Sequence, residues 1–398
     1  MTGGAAVISI AVASDLHAHT GSNGTPSPSH LNILDPPDYP NQHPITGLLE
    51  LIRAEGLTAH GLVSPGDLGD KANQQATKYA WNALHDISRG LKAEFCTATA
   101  GNHDIDSRYL GDDHAPEHIL KALLPQFPLG DEQLDDRYWA RAYAIRDYDR
   151  FRLLLLNSSA YHGHTPTELN HGRIDKQTLE DIRKDLNKRG VREINVLLCH
   201  HHPQQHSELG LGEHDVMKQG QLLLDLLGSA DFGRWLIIHG HKHHPKITYA
   251  AGSATSPIVF SAGSLCSTLF LPVQTVARNQ FYIIDIDPKQ LPILGLAGRI
   301  RAWDWATGSG WLPANERSGL PHEFGFGFRG DPIVLADQIA SLVSSGVPLV
   351  WDEVRTAFPY VDFVLPQDMM RLESRLIRNH SMRIVKDRGR AFQLGKMI

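Results

Sequence analysis

The sequence predicts a layered α/β fold followed by a small α+β domain at the C-terminal end. Over residues 1–240, short apolar runs alternate with helix-like segments. Each run is too short for a helix and is bounded by glycine, proline or polar residues, which is typical of strands. Strands that alternate with helices indicate a sheet covered by helices. The five runs are Val7–Ser14, Ala59–Ser64, Glu94–Thr99, Ile194–Cys199 and Arg234–His239.

The helix-like segments are recognised by their apolar spacing. In the clearest, Asp175–Lys188, three apolar residues (Leu179, Ile182 and Leu186) share one face, and Asp175 can cap the first turn. Two others are predicted at residues 47–55 and 72–88, with further strands at 151–156, 258–261 and 280–286. The strands and helices together predict one large domain over residues 1–300, which we expect to be the catalytic domain.

Composition limits the compartment and the partners. A chain of 398 residues can bury one large core and a small appended one. The three cysteines (Cys96, Cys199 and Cys266) are odd in number and form no CxxC pair, which suits a reducing compartment. Met1–Ser14 has no basic region, and no apolar run approaches the roughly 20 residues that span a bilayer. We therefore expect a cytoplasmic protein without a membrane partner.

The sequence changes character after residue 300. Residues 301–330 are rich in tryptophan and glycine and have little periodicity, so they are predicted to be a linker. Residues 331–398 contain helix candidates at 333–344, 349–358 and 367–379, and a hairpin candidate at 383–394 around Asp387-Arg388-Gly389. Three helices and a hairpin resemble a winged-helix domain.

Basic residues are concentrated in this last domain. Arg371, Arg375 and Arg378 repeat at i, i+4 and i+7 on the third helix, and five more follow: Arg383, Lys386, Arg388, Arg390 and Lys396. One interpretation is a nucleic-acid partner held through its phosphates. The other is a solvated helix face on a domain for dimerisation or partner binding. The net charge of −6 argues against a general nucleic-acid coat, and nothing in the sequence excludes an oligomer.

Polar clusters follow the five predicted strands. Residues beyond the carboxyl ends of strands converge on one edge of an α/β sheet, where sites form. Asp15 and His17 are two residues apart, as are His241 and His243, so each pair can point to one place from extended chain. The clusters are Asp15-Leu16-His17, Gly66-Asp67-Leu68-Gly69-Asp70, Gly101-Asn102-His103-Asp104, His200-His201-His202-Pro203 and Gly240-His241-Lys242-His243.

These five clusters, in this order and each after a strand, closely resemble the calcineurin-like metallophosphoesterase superfamily. The resemblance covers roughly residues 7–265, and the Gly-Asn-His-Asp tetrad with a downstream Gly-His-x-His is its most specific part. It implies a layered β-sandwich flanked by helices and a site for two metal ions.

The resemblance also implies which residues bind the metals. Asp15, His17 and His243 would bind the first ion, Asn102, His241 and one histidine of His200–His202 the second, and Asp67 both. The family's ligand normally lies two residues before the proline, which selects His201, with His200 as the alternative. Carboxylate and amide oxygens combined with imidazoles suit Mn, Fe or Zn.

The implied activity is hydrolysis of a small phosphorylated substrate, with a hydroxide between the ions as nucleophile. His103 would assist the leaving oxygen, and Asp70 would orient His103. The Asn-His-Asp form with the His-His-Pro motif favours a phosphodiesterase acting on a cyclic nucleotide or a similar small diester. The alternatives are a nuclease directed by the C-terminal domain, a phosphomonoesterase and a non-catalytic protein that binds a phosphorylated ligand.

Overall fold

The computed structural model describes residues 6–21, 26–107, 115–164, 168, 171–205, 216–343, 347–387 and 390–397. In these ranges the strands form three sheets. The first sheet has seven strands, of which β1, β2 and β3 run parallel and the others antiparallel to their neighbours. Its order is β12-β11-β10-β1-β2-β3, with β13 also paired to β11. The bounds are β1 Ile8–Val12, β2 Gly61–Ser64, β3 Phe95–Ala98, β10 Asn279–Ile286, β11 Gly298–Ala306, β12 Gly310–Pro313 and β13 Glu323–Phe326.

The second sheet has six strands in the order β4-β5-β6-β7-β9-β8. Its four central strands, β5, β6, β7 and β9, are parallel, and the two outer strands are antiparallel. The mostly apolar strand Ile194–Leu198 is buried on both faces, as expected of a central strand in a parallel sheet. The bounds are β4 Tyr143–Asp147, β5 Arg152–Leu156, β6 Ile194–Leu198, β7 Arg234–His239, β8 Lys246–Tyr249 and β9 Ile258–Ser261.

The two sheets face each other across one apolar core. Ile10 and Val63 of the first sheet belong to the same buried cluster as Leu155, Val196 and Leu236 of the second. The other face of the second sheet packs on α5 and α6 in a separate cluster. The helices of this part are α1 Pro44–Glu55, α2 Gln74–Gly90, α3 His118–Lys121, α4 Glu132–Arg141, α5 Lys176–Arg189, α6 Gly220–Leu227, α7 Leu271–Gln274 and α8 Leu291–Leu294.

This arrangement confirms the predicted layered β-sandwich flanked by helices. Each of the five predicted strands is present within two residues of its expected bounds. The carboxyl ends of β1, β2, β3, β6 and β7 lie at one edge, where the polar clusters follow. Among the described residues, none of the helices is both long enough and apolar enough to cross a lipid bilayer.

Residues 301–330, for which the sequence predicts a linker, lie largely within the first sheet. β11 pairs with β10 along its whole length, and β12 and β13 pair with β11. Trp303 and Trp305 are buried here, at 1% and 3% exposed. The apolar alternation is irregular because Ala302 and Trp303 are both buried although they point to opposite faces. The buried positions thus change from even-numbered to odd-numbered residues within β11, so no single period of two runs through the strand.

The C-terminal domain consists of three helices, a 3-10 helix and a three-stranded sheet. The order in the sheet is β14-β16-β15. Leu335, Trp351, Leu372 and Leu394 are members of its own apolar core. The bounds are α9 Pro332–Ser341, β14 Leu349–Val350, α10 Trp351–Ala357, the 3-10 helix Pro359–Phe363, α11 Pro366–His380, β15 Met382–Asp387 and β16 Arg390–Lys396. The hairpin β15–β16 is the wing of the predicted winged helix, and Arg388 at its tip lies outside the described residues.

The C-terminal domain contacts the first sheet directly. The amide of Phe328 donates to the carbonyl of Phe363 at 2.9 Å. Gly325 in β13 passes so close to the 3-10 helix that a Cβ atom there would overlap the carbonyl oxygen of Asp362. The main chains of the two domains are thus in van der Waals contact, which requires glycine at this position.

We predict that Gly325→Ala destabilises the protein by about 1–3 kcal/mol, because the added methyl group overlaps main chain that cannot rotate away. Urea denaturation followed by tryptophan fluorescence measures the loss. Gly90→Ala is the matched control, since a Cβ atom at Gly90 would lie 3.5 Å from Leu49, an ordinary contact. Equal stability of the two variants would contradict the predicted close contact.

Candidate metal centre

The loops after five parallel strands bring the candidate residues together. Asp15 and Asp67 are almost completely buried, at 0% and 1% exposed, whereas His103 is partly open to solvent. Several of these residues have a backbone conformation that side-chain-bearing residues seldom adopt, which is typical of functional sites. Positive φ angles occur at Asp15 (52°), His17 (48°), Asp67 (53°), His241 (78°) and His243 (54°).

One cluster of ligand atoms forms around His17 and His243. Their Nε2 atoms are 3.1 Å apart. Asp15 Oδ1 lies 3.4 Å from His243 Nε2, and Asp67 Oδ2 lies 3.5 Å from His17 Nε2. Atoms bound to one ion at about 2.1 Å in tetrahedral geometry are about 3.4 Å apart, so these spacings fit a shared cation.

A second cluster forms around Asn102. Its Oδ1 atom lies 3.0 Å from His200 Nε2 and 3.0 Å from His241 Nδ1. Asp67 Oδ2 lies 3.3 Å from His200 Nε2. The same carboxylate oxygen therefore borders both clusters.

The structure distinguishes the neighbouring histidines His200 and His201. The Nδ1 atom of His200 lies 3.0 Å from the carbonyl oxygen of Pro65, so it carries the proton and leaves the Nε2 lone pair facing Asn102 and Asp67. The Nδ1 atom of His201 instead contacts Ser158 Oγ at 2.9 Å. His201 Nε2 is buried without a hydrogen-bond partner among the described residues. One ring nitrogen of His201 lies within 4.8 Å of ring nitrogens of His200 and His241. Both imidazoles thus reach the second cluster, and His200 lies between its oxygen atoms.

The second cluster consists of atoms that accept hydrogen bonds rather than donate them. With its proton on Nδ1, His200 directs the Nε2 lone pair at two further acceptors, Asn102 Oδ1 at 3.0 Å and Asp67 Oδ2 at 3.3 Å. Such lone pairs repel unless a positive charge lies between them. Burial opposes protonation of His200, yet the charge of Asp67 raises its pKa to about 9. The cluster therefore favours a cation, and its donor set fits a metal ion.

Two of the imidazoles, His17 and His241, are held neutral, as metal ligands must be. Burial and the neighbouring charge of His103 lower the pKa of His17 to about 3. Burial also holds the pKa of His241 well below its usual value. Burial would raise the pKa of Asp67, but the charges of His200 and His103 hold it well below its usual range. Neutral imidazoles and ionised carboxylates are the protonation states that bind divalent ions.

His103 lies at the open side of the first cluster. Its Nδ1 atom is 2.8 Å from Asp70 Oδ1, and its amide donates to Asp67 Oδ1 at 2.8 Å. The side chain is 22% exposed. Asp70 therefore fixes one ring nitrogen of His103 while the ring itself remains accessible from solvent.

Asp104 connects the loops that carry Asp67 and Asn102. Its Oδ1 atom accepts hydrogen bonds from the amides of Leu68 at 2.7 Å and Gly69 at 3.1 Å. Its Oδ2 atom accepts from the amide of Gly101 at 2.9 Å. This buried carboxylate sets the distance between two ligand loops through main-chain contacts.

Three supporting contacts have no clear signal in the sequence. Pro65 contributes a carbonyl oxygen to His200, and Ser158 a hydroxyl to His201. Ser264 Oγ donates to the carbonyl oxygen of Asp15 at 2.6 Å. Neither a main-chain carbonyl nor an isolated serine far along the chain forms a motif, so only the folded chain shows these contacts.

Comparison with known proteins identifies the families to which the two domains belong. A model of the calcineurin-like phosphoesterase family matches residues 8–245, more than half of the chain. A winged helix-turn-helix model described as wHTH-Calcineurin_assc matches residues 324–377. The chain therefore belongs to the calcineurin-like phosphoesterase family, whose members use a dinuclear metal centre, and it ends in a winged-helix domain.

One solved structure shows a similar fold at low sequence identity. A purple acid phosphatase, PPD1, from yellow lupin (Lupinus luteus) superposes with a TM-score of 0.50 at 14% identity, covering 82% of this chain and 54% of the lupin chain. A dimetal phosphatase from Danio rerio has a TM-score of 0.44 at 13% identity, covering 76% of this chain and all of the other. The chain thus spans about half the length of the lupin protein. No curated protein sequence matched it.

Proposed function

We propose that this chain is a two-metal phosphodiesterase acting on small diesters. The observation that carries the proposal is the pair of ligand clusters that share Asp67 Oδ2. Asp15, His17, Asp67 and His243 would hold one ion, and Asp67, Asn102, His200 and His241 the other. Two such ions would polarise the phosphate and would lower the pKa of a bound water molecule to near neutrality. Mn, Fe and Zn suit this mixture of oxygen and imidazole ligands.

The protein's own groups then position the substrate and the leaving oxygen. His103 is the accessible imidazole next to the clusters, and Asp70 holds its Nδ1 atom. Its other ring nitrogen would donate to the oxygen on which charge develops as the ester bond breaks. Asp104 keeps the His103 loop at a fixed distance from Asp67 through the contacts described above.

The charges near the clusters favour a diester over a monoester. Among the described residues, the hydrogen-bond and ion-pair partners of the candidate ligands are histidine, aspartate, asparagine, serine and main-chain groups, with no arginine among them. A phosphomonoester dianion needs more compensating positive charge than a diester monoanion. A panel of cyclic nucleotides, monoesters and duplex DNA on one metal-loaded sample compares the three ester classes. Preferential hydrolysis of a monoester would replace the diester proposal.

We predict that the protein hydrolyses bis(p-nitrophenyl) phosphate, that a chelator abolishes the activity and that Mn²⁺ restores it. Asp67→Ala is expected to lower turnover at least ~100-fold, because both ions lose a ligand. Asp35→Ala, a substitution at an exposed site, is the control with the same change of charge. Full turnover by Asp67→Ala would rule out the shared carboxylate.

Metal content distinguishes the two neighbouring histidines. We expect His200→Ala to lose affinity for one of the two ions by about 10–100-fold, because its Nε2 atom lies between Asn102 and Asp67. His201→Ala is expected to retain both ions. Elemental analysis after dialysis against buffered Mn²⁺ measures the stoichiometry. The opposite pattern would select His201, the residue that the motif spacing indicates.

The role of His103 predicts a dependence on the leaving group. His103→Gln should slow hydrolysis of 3′,5′-cyclic AMP by roughly 10²–10⁴-fold, because an alkoxide leaves poorly without a proton. Hydrolysis of bis(p-nitrophenyl) phosphate should change far less, since p-nitrophenolate needs little help. Asp70→Asn should give a smaller loss with the same substrate dependence. Equal losses on both substrates would show that His103 acts elsewhere in the reaction.

A further inference from the structure

A small cavity lies where the chain passes from the catalytic domain into the C-terminal domain. The centre of a water-sized particle can occupy about 10 Å³ of it, which is room for a single atom or ion but not for an organic molecule. Two arginines line the cavity, Arg234 at the start of β7 and Arg329 shortly before α9. The other described residues that line it are apolar or carry a hydroxyl group, and none of them is acidic. The cavity therefore borders two positive charges without a carboxylate.

Neutral groups hold the guanidinium of Arg329 in place. Its Nη2 atom donates to the carbonyl oxygen of Ser256 at 2.6 Å, and its Nη1 atom donates to Ser256 Oγ at 3.2 Å. Its central carbon lies 4.0 Å from the centroid of the Tyr249 ring. The hydroxyl of Tyr249 donates to the carbonyl oxygen of Phe328 at 2.8 Å and accepts from the amide of Gly327 at 3.0 Å, which fixes the ring in turn. These contacts orient Arg329 without neutralising its charge.

The guanidinium of Arg234 lacks an acceptor as well as a counter-charge. Its Nη1 atom is buried and has no hydrogen-bond partner among the described residues, and within the same ranges its side chain forms no ion pair. The main chain passes close to it, because a Cβ atom at Gly295 would lie 3.4 Å from Arg234 Nε. Arginine stays protonated in proteins, and a buried charged donor without an acceptor is costly. A water molecule would supply the acceptor, whereas an anion would also offset the repulsion between the two guanidinium groups.

We propose that this cavity binds one monatomic anion, chloride, which accepts hydrogen bonds from Arg234 and Arg329. The size of the cavity selects a single ion over phosphate or a carboxylate, and its two cations select an anion over water. The ion would connect the start of β7 to the segment that leads into α9, so that it helps to attach the C-terminal domain to the catalytic domain. The proposal goes beyond the hydrolysis proposed above and involves no residue of the metal centre.

The test measures the melting temperature of the metal-loaded full chain while sodium chloride replaces sodium gluconate at constant ionic strength. For a site with a dissociation constant of roughly 10 mM, raising chloride from about 1 to about 100 mM should raise the melting temperature of the wild type by about 2–4 °C. Arg234→Gln removes one of the two cations, so its melting temperature should rise by less than about 1 °C. Sodium bromide should act like chloride, because bromide is also a monatomic anion.

The matched control is Arg53→Gln, which removes the same charge from an exposed position of α1. Chloride bound at the metal centre would act equally on all of the proteins, so the comparison between variants isolates the cavity. A rise that Arg53→Gln retains and Arg234→Gln loses supports the proposal. A rise of equal size in both variants, or no rise in the wild type, overturns it and leaves a water molecule as the occupant. If Arg234→Gln shows no cooperative melting, Arg329→Gln decides by the same criterion.

Discussion

The carboxylate of Asp67 is the constraint on which the candidate centre depends. One of its oxygens borders both ligand clusters, and the other accepts a hydrogen bond from the amide of His103. A single side chain therefore links the two proposed ion sites to the histidine proposed to assist the leaving group. Gly101 is required by the same constraint, because a Cβ atom there would overlap the Asp67 carboxylate. The β-sandwich positions the other candidate ligands, because five of its strands end at the same edge.

Much of this centre could be predicted because its signals are local. Asp15 and His17, or His241 and His243, are two residues apart after a strand, so each pair is carried to the same sheet edge. The expectation that each pair lies in extended chain is wrong, because all four residues have positive φ angles. The choice between His200 and His201 depends instead on which ring meets the carbonyl of Pro65, more than 130 residues earlier in the chain. Spacing within a motif carries no information about such a contact.

The fold was predictable to a similar degree and for similar reasons. Short apolar strands with polar ends are visible in the sequence, whereas β11 to β13 are not, because the buried positions of β11 change face within the strand and glycines interrupt the pattern. The sequence pattern does not indicate α4 either, because its ten residues are mostly polar and only Asp135 and Tyr138 among them are buried. In the C-terminal domain the three helices have ordinary apolar spacing, and each was found. The ion pairs of Lys386 with Glu316 and of Arg390 with Glu323 join residues far apart in the chain, so no local sequence pattern predicts them.

The positive φ angles at five candidate ligands have a consequence for how such chains diverge. Holding aspartate or histidine in this conformation costs about 1–3 kcal/mol per residue, and glycine would adopt it at little cost. A descendant released from metal binding would gain stability by replacing these side chains with glycine or asparagine. A lineage that still depends on ion binding is therefore expected to keep all five side chains, although glycine would make the fold more stable.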